Sequence, residues 1–139
     1  MVETKFAVSI HLLTALAYNP GKWMSSEELS KSLCTNPSFV RKLIVDLARA
    51  ELIQSLRGKA GGVQLAKKPS SIDLSEIYLA VSEHNRIEIP HKEPYTDCPV
   101  SCAMGNILSK VSTKVEEDII QSLKKTKLSE LVQQVPKQS

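Results

Sequence analysis

The stretch 25–65, SSEELSKSLCTNPSFVRKLIVDLARAELIQSLRGKAGGVQL, leaves few folds open to this chain. Ser25 with Glu28 three residues on is a capping-box pair that starts a helix, and Leu29 and Leu33 then fall four apart on one face. Thr35-Asn36-Pro37 ends that helix and begins another. Asn36 suits an N-cap, and Pro37 suits the first helical position, where no amide bond is needed. In the second helix Val40, Leu43, Ile44 and Leu47 take the i, i+3, i+4, i+7 spacing of a buried stripe, with Ser38, Arg41, Lys42 and Arg49 outside it. Two short helices about a tight turn, the second with a basic outer face, form a helix-turn-helix pattern suited to the major groove of duplex DNA. An αα-hairpin with a solvated basic face has the same pattern, and on the helices alone both stay open.

The residues that follow narrow the choice. Segments 53–56 and 63–65 read as short strands joined by Arg57-Gly58-Lys59-Ala60-Gly61-Gly62. Three glycines in six positions admit positive φ and close backbone approach. Arg57 and Lys59 stand at the tip, in reach of phosphate or a minor groove. A helix-turn-helix followed directly by a basic hairpin is a winged helix.

These residues resemble the Rrf-two family of bacterial winged-helix transcription regulators. The resemblance is carried by Ala7-Val8-Ser9-Ile10-His11-Leu12-Leu13, by Phe39-Val40-Arg41-Lys42-Leu43 with Leu47, by the wing from Arg57 through Leu65, and by Ile72-Asp73-Leu74, where that family's next helix begins. It runs from residue 1 to about 125, and Arg-Gly-x-x-Gly-Gly is its most specific motif. One departure stands just before the wing. The family usually ends its recognition helix on glycine, and this chain has Glu51, a residue less at ease in a left-handed cap.

The predicted fold is mainly α with a small β-hairpin. A winged helix-turn-helix DNA-binding domain occupies 1–84, an extended loop 85–98, and a dimerisation helix with a short terminal helix 99–135. Ser26, Ser38, Phe39, Arg41 and Lys42 are the expected contacts at the major groove, and Arg57, Gly58, Lys59 and Gly61 those along the adjacent minor groove.

Elsewhere the chain reads as helix and connector. A first helix over 2–18 places Phe6, Ile10, Leu13 and Ala17 along one side, and Asn19-Pro20-Gly21 ends it. Trp23 is expected to pack. Asp73 with Glu76 caps a helix that buries Leu74, Ile77, Tyr78 and Val81. Segment 86–96, with Pro90 and Pro94, lacks a helical period. From Pro99 a long helix carries Met104, Ile107, Leu108, Val111, Val115, Ile119 and Leu123 as one apolar stripe. That stripe calls for a second copy across a two-fold axis or for a fold back onto its own domain. The resemblance implies the dimer, whose paired recognition helices would read a pseudo-palindromic operator in double-stranded DNA. Leu128, Leu131 and Val132 suggest a short last helix, with a frayed tail from Pro136.

At 139 residues the chain is sized for one domain with its own core. A net charge of +3 is too small to attract DNA by overall basicity, so the footprint must be a cluster. No apolar run is long enough for a membrane span, and Met1-Val2-Glu3-Thr4-Lys5 does not open a signal peptide. A cytoplasmic protein with no membrane partner and reduced thiols is expected.

Cys34, Cys98 and Cys102 are the three cysteines. With Pro99 at the first helical position, Cys98 falls at the N-cap, where the helix dipole favours thiolate, and Cys102 lies one turn in. Cys98 is the candidate redox sensor and Cys34 a candidate resolving partner; a bridge from Cys98 to Cys102 within one helix has poor geometry. Cluster-bearing members of the resembling family use three cysteines in this region plus a further ligand, and this chain has two. No cofactor is therefore expected. An iron–sulfur cluster would need Cys34, His91 or a carboxylate, and a zinc site lacks histidine at motif spacing. Filler cysteines in an apolar setting are the other reading.

The function expected is that of a homodimeric transcriptional regulator, a repressor, with DNA affinity set by thiol oxidation at Cys98. Its rivals are the same fold gated by a cluster or small ligand, and a winged helix used for protein–protein contact. An enzyme is not expected: His11, His84 and His91 are scattered, with no nucleophile–base pairing in their spacing.

Overall fold

Helix ends, more than helix interiors, determine this architecture. A computed structural model describes residues 4–82, 87, 89–90 and 92–137. In chain order they form α1 (Thr4–Tyr18), α2 (Ser26–Leu33), α3 (Pro37–Arg49), β1 (Ile53–Leu56), β2 (Gly62–Leu65), a 3₁₀ turn (Pro69–Ser71), α4 (Leu74–Val81), α5 (Pro99–Leu123) and α6 (Leu128–Gln133).

The capping box at α2 is formed in both directions: Glu28 N–H donates to Ser25 Oγ at 3.1 Å, and Ser25 N–H donates to Glu28 Oε1 at 3.3 Å. Asn36 Oδ1 accepts from Phe39 N–H at 2.9 Å, with Pro37 opening α3. Both helices of the motif stop in left-handed residues that are not glycine, Cys34 at φ 53° and Glu51 at φ 62°. After α2, Cys34 N–H reaches Lys31 O and Thr35 N–H reaches Ser30 O; after α3, Glu51 N–H reaches Ala48 O and Leu52 N–H reaches Leu47 O. Each is a Schellman closure that satisfies end carbonyls. Leu52 and Leu47, both buried, supply the apolar contact that accompanies the second. Glu51 thus takes the family's glycine position in the glycine conformation.

The wing strands pair antiparallel, with Ile53 opposite Leu65 and Leu56 opposite Gly62. Met24 adds a one-residue edge: its N–H donates to Val63 O at 3.1 Å, and Val63 N–H returns to Met24 O at 2.9 Å. Gly62, at φ 150°, lets the two backbones meet, since a Cβ there would collide with the Met24 main chain. A Cβ on Gly61 would strike the Leu56 carbonyl.

The core gathers Leu12, Leu13 and Leu16 from α1 with Leu29, Val40, Leu43, Leu47, Leu52, Ile72, Ile77 and Leu128. On α1 the buried set is Ser9, Leu12, Leu13 and Leu16, whereas Phe6, Ile10 and Ala17 of the expected face are only partly covered. The helix is apolar on most sides, so its packing against α2, α4, α6 and β2, rather than its periodicity, selects the face. Trp23 is half-buried.

Helix α6, expected beside α5 in a C-terminal unit, packs on α1 and the 3₁₀ turn. Leu128 is fully buried; its N–H donates to Ile72 O at 2.8 Å, while Leu74 N–H donates to Thr126 O at 3.0 Å. The tail is held at Pro136, whose carbonyl accepts from the Tyr18 hydroxyl at 3.0 Å. Helix α5, 25 residues and about 38 Å long, packs against α4. There the buried Tyr78 hydroxyl donates to Glu116 at 2.8 Å, and the Tyr78 ring meets Phe6 edge-on at 5.5 Å. Ser112 is the one buried residue of α5 among those described. Of the predicted apolar stripe, Ile107 is 46% and Val111 44% exposed, while Met104, Leu108, Val115, Ile119 and Leu123 are half-buried.

Candidate nucleic-acid interface

Burying Val40, Leu43 and Leu47 turns the opposite side of α3 outward, and Ser38, Arg41, Lys42, Val45 and Arg49 are all exposed there. Basic charge concentrates around it. Residues 22–68 hold nine Lys and Arg against four Asp and Glu, while residues 69–139 hold eight against ten. The modest net charge therefore conceals a polarised molecule, basic over the helix-turn-helix and wing. Such a distribution gives phosphate a local target and steers approach to it.

The individual side chains are partly organised before any ligand arrives. Arg41 Nη2 donates to Ser38 Oγ at 3.4 Å, and Arg41 Nη1 lies 3.9 Å from Glu27 Oε1. Ser26 Oγ donates to Glu27 at 3.3 Å. Ser26, Ser38 and Arg41, three predicted contacts, are thus joined through a carboxylate that the sequence did not single out. Glu27 reads in sequence as an ordinary acid in the first turn of a helix, and only the crossing of α2 and α3 aims it at Arg41. The pair is long and exposed, so phosphate, with two oxygens for the guanidinium fork, can displace it. Lys42 makes no ion pair among the described residues, and Arg49 leans 3.7 Å from Asp46. Phe39 differs from the rest: it is half-buried against the core and marks the turn rather than projecting from it.

In the wing, Gly61 N–H donates to Gly58 O at 3.1 Å and closes the tip as a tight turn, with Gly58 at φ 113°. Open space surrounds Gly58, and both Arg57 and Lys59 are exposed beside it. The predicted wing residues Arg57, Gly58, Lys59 and Gly61 therefore form one short loop.

Cysteines occupy a different part of the surface. Cys98 is the N-cap of α5; its half-buried Sγ accepts from Ser101 N–H at 3.5 Å. Cys102 is exposed one turn on, with its thiol 3.8 Å from the carbonyls of Tyr95 and Thr96. It lines a groove of about 730 Å³ between residues 89–90 and 92–95 on one side and α5 on the other. Cys34 is exposed at the left-handed end of α2. His11 lies 3.2 Å from Ser32 Oγ, and His84 and His91 fall outside the described residues.

A helix-turn-helix with its basic face outward, followed by a basic wing, defines a DNA-binding transcriptional regulator. The Rrf2 model, described as an iron-dependent transcriptional regulator, matches residues 2–134. YwnA of Bacillus subtilis (strain 168), provisionally an HTH-type transcriptional regulator, is 30% identical over 132 residues, covering 95% of this chain and 97% of YwnA. A crystal structure provisionally described as a DNA-binding protein is 30% identical with a TM-score of 0.73, covering 92% of this chain and 98% of that one. CymR, the global cysteine regulator of B. subtilis, has the same fold at a TM-score of 0.70 and 19% identity, with 98% of both chains covered. This chain belongs to the Rrf2 family. It is a regulator and not an enzyme.

The iron in the family's description can be tested against the donors present. Among the described residues no group of three His, Cys, Asp or Glu side chains could hold a metal ion. Cys98 and Cys102 are neighbours on one helix turn, and Cys34 belongs to the helix-turn-helix. Cys98 and Cys102 alone fall short of the four thiolates that ordinarily hold a cluster, and His91, the other donor named above, lies outside the described residues.

Proposed function

We propose that the chain acts in the cytoplasm as a homodimeric repressor of a pseudo-palindromic operator, and that oxidation of Cys98, without a bound cluster, sets its affinity for DNA. The carrying observation is the position of Cys98: it caps the helix whose apolar face is only partly covered, so one residue links a sulfur to the proposed seam. The Ser101 N–H points at the sulfur from the first turn of that helix.

The chemistry needs only a hydroperoxide. Cys98 thiolate attacks the O–O bond, an S–O bond forms, and the leaving oxygen departs with a proton as water or alcohol. Cys34 thiolate of the partner subunit then attacks the sulfenic sulfur; an S–S bond forms and hydroxide leaves, taking up a proton. Cys34 suits the second role because it is exposed in the turn that leads into α3. A bridge there would tie α5 of one subunit to the DNA-reading unit of the other.

Non-reducing electrophoresis before and after mild peroxide, with Cys34→Ser and Cys98→Ser alongside and DNA binding measured on the same samples, tests the reading. A cross-linked dimer that needs both cysteines and binds DNA differently is the expected result. A chain that runs as monomer with unchanged binding would overturn it. The groove beside Cys102 would then favour the second reading, a regulator gated by a small ligand.

A further inference from the structure

Val45 is an aliphatic side chain, 54% exposed, on the outward face of α3. Counting from Ser38, the exposed positions Arg41, Lys42, Val45 and Arg49 fall at i+3, i+4, i+7 and i+11, so Val45 continues the row that carries the cations. Single exposed aliphatic residues are ordinary on protein surfaces. This one differs by its company, since it is the apolar member of a row otherwise built from a hydroxyl and three cationic side chains. The local fold does not call for it: the core stripe is on the opposite side, and a β-branched residue is a mediocre helix former in solvent.

On the major-groove edge of a base pair, the apolar group is the C5-methyl of thymine. Arg41 and Lys42 pair with phosphates or base acceptors, and neither can distinguish that methyl from hydrogen. We infer that Val45 is a specificity-determining residue that packs its methyl groups against a thymine C5-methyl in each half-site. The inference rests on α3 lying in the major groove.

The test uses duplexes enriched by the full-length reduced protein from a random-sequence pool, with each thymine of the enriched site replaced singly by deoxyuridine. At one thymine per half-site, deoxyuridine should weaken wild-type binding about four-fold, the worth of one buried methyl group. Val45→Ala, which loses the contact in both half-sites, should bind the thymine duplex more weakly by about the square of that factor and be indifferent to deoxyuridine at that position, while responding like wild type elsewhere. Alanine suits an exposed helix position better than valine, so the variant should melt no lower than wild type. Equal responses of both proteins at every thymine would overturn the inference and leave DNA binding intact. Failure to enrich any duplex, with no salt-dependent binding, would overturn both.

Discussion

Helices α3 and α5 carry the same kind of apolar row and use it in opposite ways. In α3 the row is consumed inside the subunit, with Val40, Leu43 and Leu47 inaccessible to water. In α5 no member of the row is fully buried: Ile107 and Val111 are exposed and the others are only partly covered. Periodicity announces that a face wants covering; it does not say by what. For α3 the cover comes from within the subunit: α2 ends just before it, and α4 returns onto it after the wing. For α5 the nearby elements are spent on the first core, and α6 itself returns to α1.

Two substitutions separate these cases most sharply. Leu43→Ala should cost about 3 kcal/mol of folding stability through the cavity it leaves, as a melting loss independent of protein concentration. Ile107→Glu should leave the monomer's melting almost unaltered yet weaken self-association by about 100-fold, because a seam would bury an unpaired carboxylate. Sedimentation at several concentrations checks the second. If Ile107→Glu instead melts the single chain, α5 is covered from within and the contrast collapses.

Smaller effects sharpen the comparison on the DNA side. Arg57→Ala and Lys59→Ala should each weaken duplex binding and lower the salt-dependence slope by about one, with stability unchanged. Unchanged affinity in both would remove the wing from the interface. Glu51→Gly should stabilise the fold by about 1 kcal/mol, since glycine accepts φ 62° without a Cβ penalty, a gain readable in denaturant titration.

The smallest effect concerns acid. The Lys22 ammonium, 3.0 Å away, and the Ser25 N–H hold the Glu28 carboxyl below its ordinary range. A group lowered on folding stabilises above its unfolded pKa, and that contribution disappears as pH falls through the folded value. Both partners are about half exposed, so Glu28→Gln should remove less than about 1 kcal/mol of acid-labile stability. Melting curves between pH 3 and about 6 measure it.

What could be read from sequence follows from how local the determinants are. Ser25 with Glu28, Asn36 with Pro37, Asp73 with Glu76 and Cys98 with Pro99 each act within four residues, and each caps the helix expected of it. The close approach allowed by the wing glycines was legible, although Met24 as its counterpart was not, because that contact spans 39 residues and involves only backbone atoms. Helix α1 hid its buried face because it has apolar residues nearly all round. Glu27 hid its partner Arg41 because their proximity depends on the angle between two helices. The last helix joined the N-terminal core through Leu128, a leucine like many others in the chain until its fully buried position is known.

One contact between these regions has a metric consequence. The Tyr78 phenol on Glu116 fastens a lever about 38 Å long to the body that carries α3. In the two-fold pair proposed above such a joint would act like the rivet of a caliper, turning a small tilt of the arm into a change in the gap between the two jaws. DNA offers its grooves at fixed intervals of one helical turn, so the setting of that rivet would decide which gap the proposed pair can span.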